Sequence, residues 1–106
     1  MEKKASLKAS QGLNREITLE PQDKAAEYSL IWMHGLGDSA MGFYPIFSSE
    51  ETFLPESFRV RLLTAPESPV TLNQGFRCNS WYDIRSLDRS ENSFSFEDVL
   101  KNSVGI

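Results

Sequence analysis

The sequence has one cysteine, Cys78, and one histidine, His34. A lone cysteine closes no internal disulfide, and one Cys with one His cannot make a zinc site. Long hydrophobic runs are missing too. The longest, Leu30-Ile31-Trp32-Met33, is four residues, where a membrane-spanning helix needs roughly 18 or more. The start, Met1-Glu2-Lys3-Lys4-Ala5-Ser6, leads into polar sequence with no secretory apolar stretch. With Glu2 second and Gly105-Ile106 last, neither N-myristoylation nor prenylation is expected. There is no cluster of basic residues; Lys+Arg total 11 against Asp+Glu 15, a net charge of −4. That balance argues against a nucleic-acid partner. A cytoplasmic, metal-free protein without a transmembrane segment is the expectation from these absences.

What is present is a globular composition, 40% hydrophobic and 25% charged over 106 residues, enough for one domain. Residues 1–14 are polar and aperiodic and read as a mobile leader, with the domain over 15–106. Arg15 to Glu20 alternates polar and apolar like a half-buried strand. Pro21-Gln22-Asp23-Lys24 supplies turn chemistry, and Tyr28 to Met33 is an apolar β-rich run, so the two strands read as a hairpin with the second more buried. Ala40 to Phe53 reads as helical, with the regular helix starting near Pro45. Phe58 to Thr64 is a further strand. Residues 65–93, rich in Ser, Asn and Pro, read as one long loop, a feature often functional. Ser95-Phe96-Glu97-Asp98 fits a capping box, with Asp98 reaching back to Ser95, ahead of a helical stripe of Phe96, Val99, Leu100 and Val104. The order of strands, glycine turn, helix, strand and loop is that of an α/β domain whose sheet is unfinished.

Two segments carry chemistry. Met33-His34-Gly35-Leu36-Gly37-Asp38-Ser39 follows a strand and precedes a helix, and its glycines let backbone amides turn toward an oxyanion. Gly35 to Ala40 also fits the dinucleotide pattern G-x-G-x-x-A, but the next strand ends Leu63-Thr64-Ala65-Pro66, without the acidic residue that reading requires. The second segment is Ser80-Trp81-Tyr82-Asp83-Ile84, where Trp81 could line an apolar acyl site and Asp83 could fix the loop by accepting backbone amides. No activating base accompanies Cys78, and His34 reads as a hydrogen-bonded structural residue.

Leu30 to Asp38, then Ala65-Pro66, Pro69-Val70-Thr71, Asn73 and Ser80 to Ile84, together resemble the phospholipase/carboxylesterase family of small serine hydrolases, which includes acyl-protein thioesterases and lysophospholipases. The resemblance covers about residues 15–106. It implies an α/β-hydrolase fold, with a central mostly parallel sheet and flanking helices. It also implies cleavage of acyl thioesters or carboxylic esters by a Ser-His-Asp triad without a cofactor. By position, Leu36 would give its backbone N–H to the oxyanion hole and touch substrate. His34, Gly35, Gly37 and Asp38 would shape that turn, Trp81 would lie at the acyl site, and Asp83 would anchor the loop. Substrates would be acylated, palmitoylated proteins or lysophospholipid esters, met in transient contact with a membrane surface. Cys78 and Asn79 depart from the residues common in the family and bear on selectivity.

A nucleophile elbow needs G-x-S-x-G. The glycines stand at 12, 35, 37, 42, 75 and 105, and no two lie four apart. The expectation is therefore an N-terminal half of the fold, truncated before the elbow, with the triad beyond residue 106 and no activity of its own. The alternative is a non-catalytic product that acts by binding only.

Overall fold

The computed structural model describes residues 7–49, 55, 57–88 and 91–104. They fall into two compact units, one of the described residues within 7–34 and 38–64, the other of those within 35–37 and 65–104.

In the first unit, β1 (Leu7–Gln11), β2 (Ile17–Pro21), β3 (Tyr28–Met33) and β4 (Phe58–Leu63) form one sheet in the order β1-β2-β4-β3. The β1–β2 and β2–β4 pairings are antiparallel and β3 lies parallel to β4, so the sheet is mixed. Alternation places Ile17 and Leu19 of β2 and Val60 and Leu62 of β4 on one face. They stand directly opposite one another, Ile17 against Leu62 and Leu19 against Val60, and all four are buried. Helix α1 (Ala40–Ser48) adds Ala40 and Phe47 to that core. Trp32 packs against both Phe43, tilted, and Phe47, edge-on, with ring centroids at 5.3 and 5.2 Å.

Three features of this unit differ from the sequence expectation. Leu7–Gln11 is a strand, so the leader reading fails over those residues; residues 1–6 lie outside the described part. Only Leu7 of β1 is even half-buried, which is why no apolar alternation announced it. A tight turn makes the strand: Gly12 N–H donates to Glu16 O, Arg15 N–H donates to Gly12 O, and Arg15 takes φ 61°. Second, β2 and β3 are not a hairpin, because β4 lies between them. β3 is consequently a sheet edge and more exposed than β2, the reverse of what its apolar run implies. Third, α1 starts at Ala40, not near Pro45, because Ser39 caps it: the Ser39 Oγ accepts the Gly42 N–H at 3.3 Å. The Thr64 hydroxyl fastens the same end, accepting the Ala40 N–H and donating to Arg15 O, both at 2.9 Å. Of the expected helix over 40–53, residues 50–53 lie outside the described part.

In the second unit the long loop has structure of its own. β5 (Glu67–Pro69) and β6 (Arg77–Asn79) pair antiparallel around a connection containing a single 3-10 turn, Thr71–Asn73. That connection wraps a fully buried Val70, whose N–H donates to Phe76 O and whose carbonyl accepts from Asn73 and Gly75. Helix α2 (Phe96–Val104) forms where the apolar spacing places it. None of its residues is buried, and Phe96, Leu100 and Val104 are exposed.

Candidate functional site

β3 ends at Met33, and the next residue, His34, is buried with 4% of its surface exposed. Gly35, Leu36 and Gly37 belong to the same compact unit as the 65–104 segment. Gly37 has φ +83°, and a Cβ there would meet nothing within 4 Å. The backbone angle, not lack of space, is what calls for glycine. The Gly37 N–H is committed, donating to Asn79 O at 2.8 Å. Among the described residues none accepts from the neighbouring Leu36 N–H, and the Leu36 side chain is exposed. One amide of the turn is thus fixed, while the preceding one has no acceptor among the described residues. In the first unit, the Asp38 Oδ1 accepts the Ser39 N–H at 2.8 Å and so shapes the start of α1.

Asn79 opens a segment held at almost every step. The Ser80 N–H donates to Pro66 O at 3.0 Å, and the Ser68 and Ser80 hydroxyls meet at 2.7 Å. The Trp81 carbonyl accepts from the Asn102 side-chain amide, and Tyr82 packs edge-on against Phe94. The Leu72 N–H donates to Ile84 O, and the Arg85 N–H to Ser93 O. Asp83 has the most partners. Its Oδ2 accepts the Thr71 hydroxyl at 2.6 Å and its Oδ1 accepts the Thr71 N–H at 2.8 Å. Those two donors hold its carboxyl below the usual carboxylate range, the hydroxyl most strongly. Arg85 at 3.9 Å and the Ile84 N–H act in the same direction, against the opposing effect of burial.

The sequence-derived candidates therefore divide. Gly35, Leu36, Gly37, Trp81 and Asp83 lie in the second unit, while His34 and Asp38 lie in the first. Cys78 is a half-buried residue of β6. An open hollow of about 530 Å³ lined by Lys8, Glu20, Gln22, Lys24 and Arg59 shares no residue with the turn or the loop. Sequence reasoning named Asn79 only as a departure from the family and missed its carbonyl contact with Gly37, which leaves no residue-type signal. It also misassigned Asp98. Ser95 Oγ does accept the Asp98 N–H at 3.3 Å, but the Asp98 carboxylate accepts the Asp83 N–H at 3.0 Å instead of reaching back to Ser95. The Ser95 N–H goes to Asp83 O at 2.8 Å. The capping box is completed by the loop, because Asp83 presents both a donor and an acceptor at the helix start.

A phospholipase/carboxylesterase family model matches residues 14–105. Acyl-protein thioesterase 1 of Cryptococcus neoformans is 37% identical over 79 residues, 74% of this chain and 32% of that protein. A probable carboxylesterase, SOBER1-like, of Arabidopsis thaliana is 35% identical over 89 residues, 81% of this chain and 33% of that protein. The crystal structure of Zea mays acyl-protein thioesterase 2 superposes with a TM-score of 0.69 at 26% identity, over 87% of this chain and 38% of that one. Arabidopsis thaliana SOBER1 gives 0.59 at 32% identity, over 76% and 39%. The chain spans about a third of the length of these relatives. Its mixed sheet and helices form part of the α/β-hydrolase fold that they share, and it belongs to the phospholipase/carboxylesterase family.

Proposed function

We propose that the chain supplies the oxyanion turn and acyl-site loop of a serine hydrolase acting on acyl thioesters or carboxylic esters. The observation that carries this reading is the pair of neighbouring amides, Gly37 committed to Asn79 and Leu36 without an acceptor among the described residues. In such a reaction a serine Oγ attacks the acyl carbonyl and a histidine takes its proton. The tetrahedral oxyanion accepts from Leu36 N–H, and collapse expels the thiolate or alkoxide, which the histidine protonates; water, deprotonated by the same histidine, then cleaves the acyl-serine to the carboxylic acid and free serine. His34 and Asp38 support the turn from the strand and helix that flank it. Trp81 faces the acyl chain and Asp83 holds its loop.

The family and the acyl-protein thioesterases among the relatives make palmitoylated proteins the favoured substrates, with lysophospholipids second. A cytoplasmic setting, with transient contact at membrane surfaces, follows from that choice. Among the described residues no helix is long and apolar enough to cross a membrane. The 106 residues contain no G-x-S-x-G and one histidine, so the nucleophile and base are assigned to sequence outside them, and the chain by itself to substrate binding without turnover. Incubation with a fluorophosphonate probe and a p-nitrophenyl ester tests this. The expected result is no labelled serine and hydrolysis equal to a denatured control. A labelled serine would overturn the division of labour.

A further inference from the structure

We propose that Asp98 and Asn102 are positioning residues that hold Trp81 in register, so that α2 sets acyl-chain selectivity; this rests on the reading of Trp81 as part of the acyl site. The two side chains are four residues apart and therefore project from one face of α2. Each takes one polar group from a short stretch of the loop. Asp98 Oδ2 accepts the Asp83 N–H at 3.0 Å, and the Asn102 amide donates to Trp81 O. One must accept and the other must donate, so the pair recognises the 81–83 backbone in one direction only. The Ser95 N–H to Asp83 O bond, at 2.8 Å, adds a third point of attachment.

Apolar packing contributes little here. No residue of α2 is buried, and of its apolar stripe Phe96, Leu100 and Val104 are exposed; only Val99 is half-buried, as Asp98 and Asn102 are. The directional contacts between helix and loop come from its polar face. A one-residue rotation of α2, about 100° of arc, would carry both side chains off their partners. Trp81 follows the helix because its own carbonyl is one of the two points held. The other end of the same stretch reaches Gly37 through Asn79 O. The loop is thus set from α2 on one side while it sets the oxyanion turn on the other.

The test uses the whole chain labelled with fluorotryptophan. Its two tryptophans are Trp32 and Trp81, and Trp32, packed between Phe43 and Phe47, serves as internal reference in fluorine NMR. Asn102→Asp keeps the shape but removes the donor, and should displace or broaden the Trp81 line while leaving that of Trp32. Asn102→Gln restores the donor and should return the Trp81 line. An unmoved Trp81 line in Asn102→Asp overturns the proposal. If that variant loses both lines through unfolding, Asn102→Gln decides: a native Trp81 line supports the proposal, and a displaced one overturns it.

Selectivity is read by titrating the acetyl and palmitoyl thioesters of N-acetylcysteamine. Asn102→Asp should weaken palmitoyl binding by about threefold to tenfold and leave acetyl binding unchanged. Equal weakening of both would overturn the selectivity claim. Unchanged palmitoyl binding in Trp81→Ala would instead overturn the acyl-site reading, while the Trp81 line still reports whether Asn102 holds that residue.

Discussion

The backbone N–H of Gly37 donates to the carbonyl of Asn79 at 2.8 Å, and Gly37 reaches that geometry with φ +83°. The bond commits the Gly37 amide, whereas the Leu36 amide has no acceptor among the described residues. Since a Cβ at Gly37 meets nothing within 4 Å, substitution there is penalised through the backbone alone. Gly37→Ala should cost about 1–2 kcal/mol, and Gly37→Asn less, because asparagine tolerates the left-handed region. Denaturant midpoints of the two variants check this; equal losses would remove the backbone angle as the cause.

Leu36 is expected to act through its N–H, so its side chain should matter little. In a protein carrying the full triad, Leu36→Ala should keep most of kcat, whereas Leu36→Pro, which deletes the donor, should lower it roughly 100- to 1,000-fold. Steady-state kinetics on a p-nitrophenyl ester measure both. Similar, small effects would take Leu36 out of the oxyanion hole.

Asp83 makes the loop sensitive to acid. Its carboxyl is held below its ordinary value chiefly by the Thr71 hydroxyl and N–H. A group whose pKa is lower folded than unfolded contributes stability above the unfolded value, near 3.9 for Asp, and that contribution is lost as pH falls through the folded value. Stability should therefore drop below about pH 4, and Asp83→Asn should flatten that part of the profile while lowering stability at neutral pH. Thermal melts of both proteins from neutral to strongly acid pH decide it. Parallel profiles would show that Thr71 and Asp83 are not coupled in solution.

The parts legible in the sequence were those with apolar period or turn chemistry. The alternation from Arg15 to Glu20, the run Tyr28 to Met33 and the α2 spacing all marked real elements. β1 was not legible, because Lys8 to Gln11 are exposed and the strand exists by backbone pairing to β2. Strand neighbours were not legible either. An apolar run tells how much a strand could bury, and β3 came out as the exposed edge because β4, distant in sequence, takes the place beside β2. At the site, Gly37 and Asp83 were visible as residue types. Asn79 was visible only as a departure from the family, not through the carbonyl by which it acts, and Asp98 was visible only with the wrong partner.

The core of the first unit should carry its stability unevenly. Leu62 and Val60 are fully buried, so Leu62→Ala should cost about 2–5 kcal/mol. Leu100→Ala, at an exposed position of α2, should stay within about 0.5 kcal/mol. Urea titrations followed by far-ultraviolet circular dichroism give both values. Comparable losses at the two positions would mean that the apolar face of α2 is covered in solution.

The two edges of the sheet differ in how they resist pairing with another chain. β1 carries Lys8, Ser10 and Gln11, and its one large apolar residue, Leu7, packs against the core, so charge and polarity blunt that edge. β3 has no charge and no proline, and Tyr28, Ile31, Trp32 and Met33 are exposed by 59, 45, 37 and 47%. Ile31 and Met33 alternate away from the face that α1 covers, so lengthening the sheet at β3 would join apolar surface to apolar surface. The chain should accordingly self-associate as its concentration rises. Ile31→Lys should shift it toward monomer, because a charge on the edge must be desolvated when a second strand adds. Ala9→Lys, on the edge that is already polar, should leave association unchanged. Size-exclusion chromatography with light scattering over a concentration series separates the cases. A monomer at every concentration, or association indifferent to Ile31→Lys, would show that β3 is not the adhesive edge.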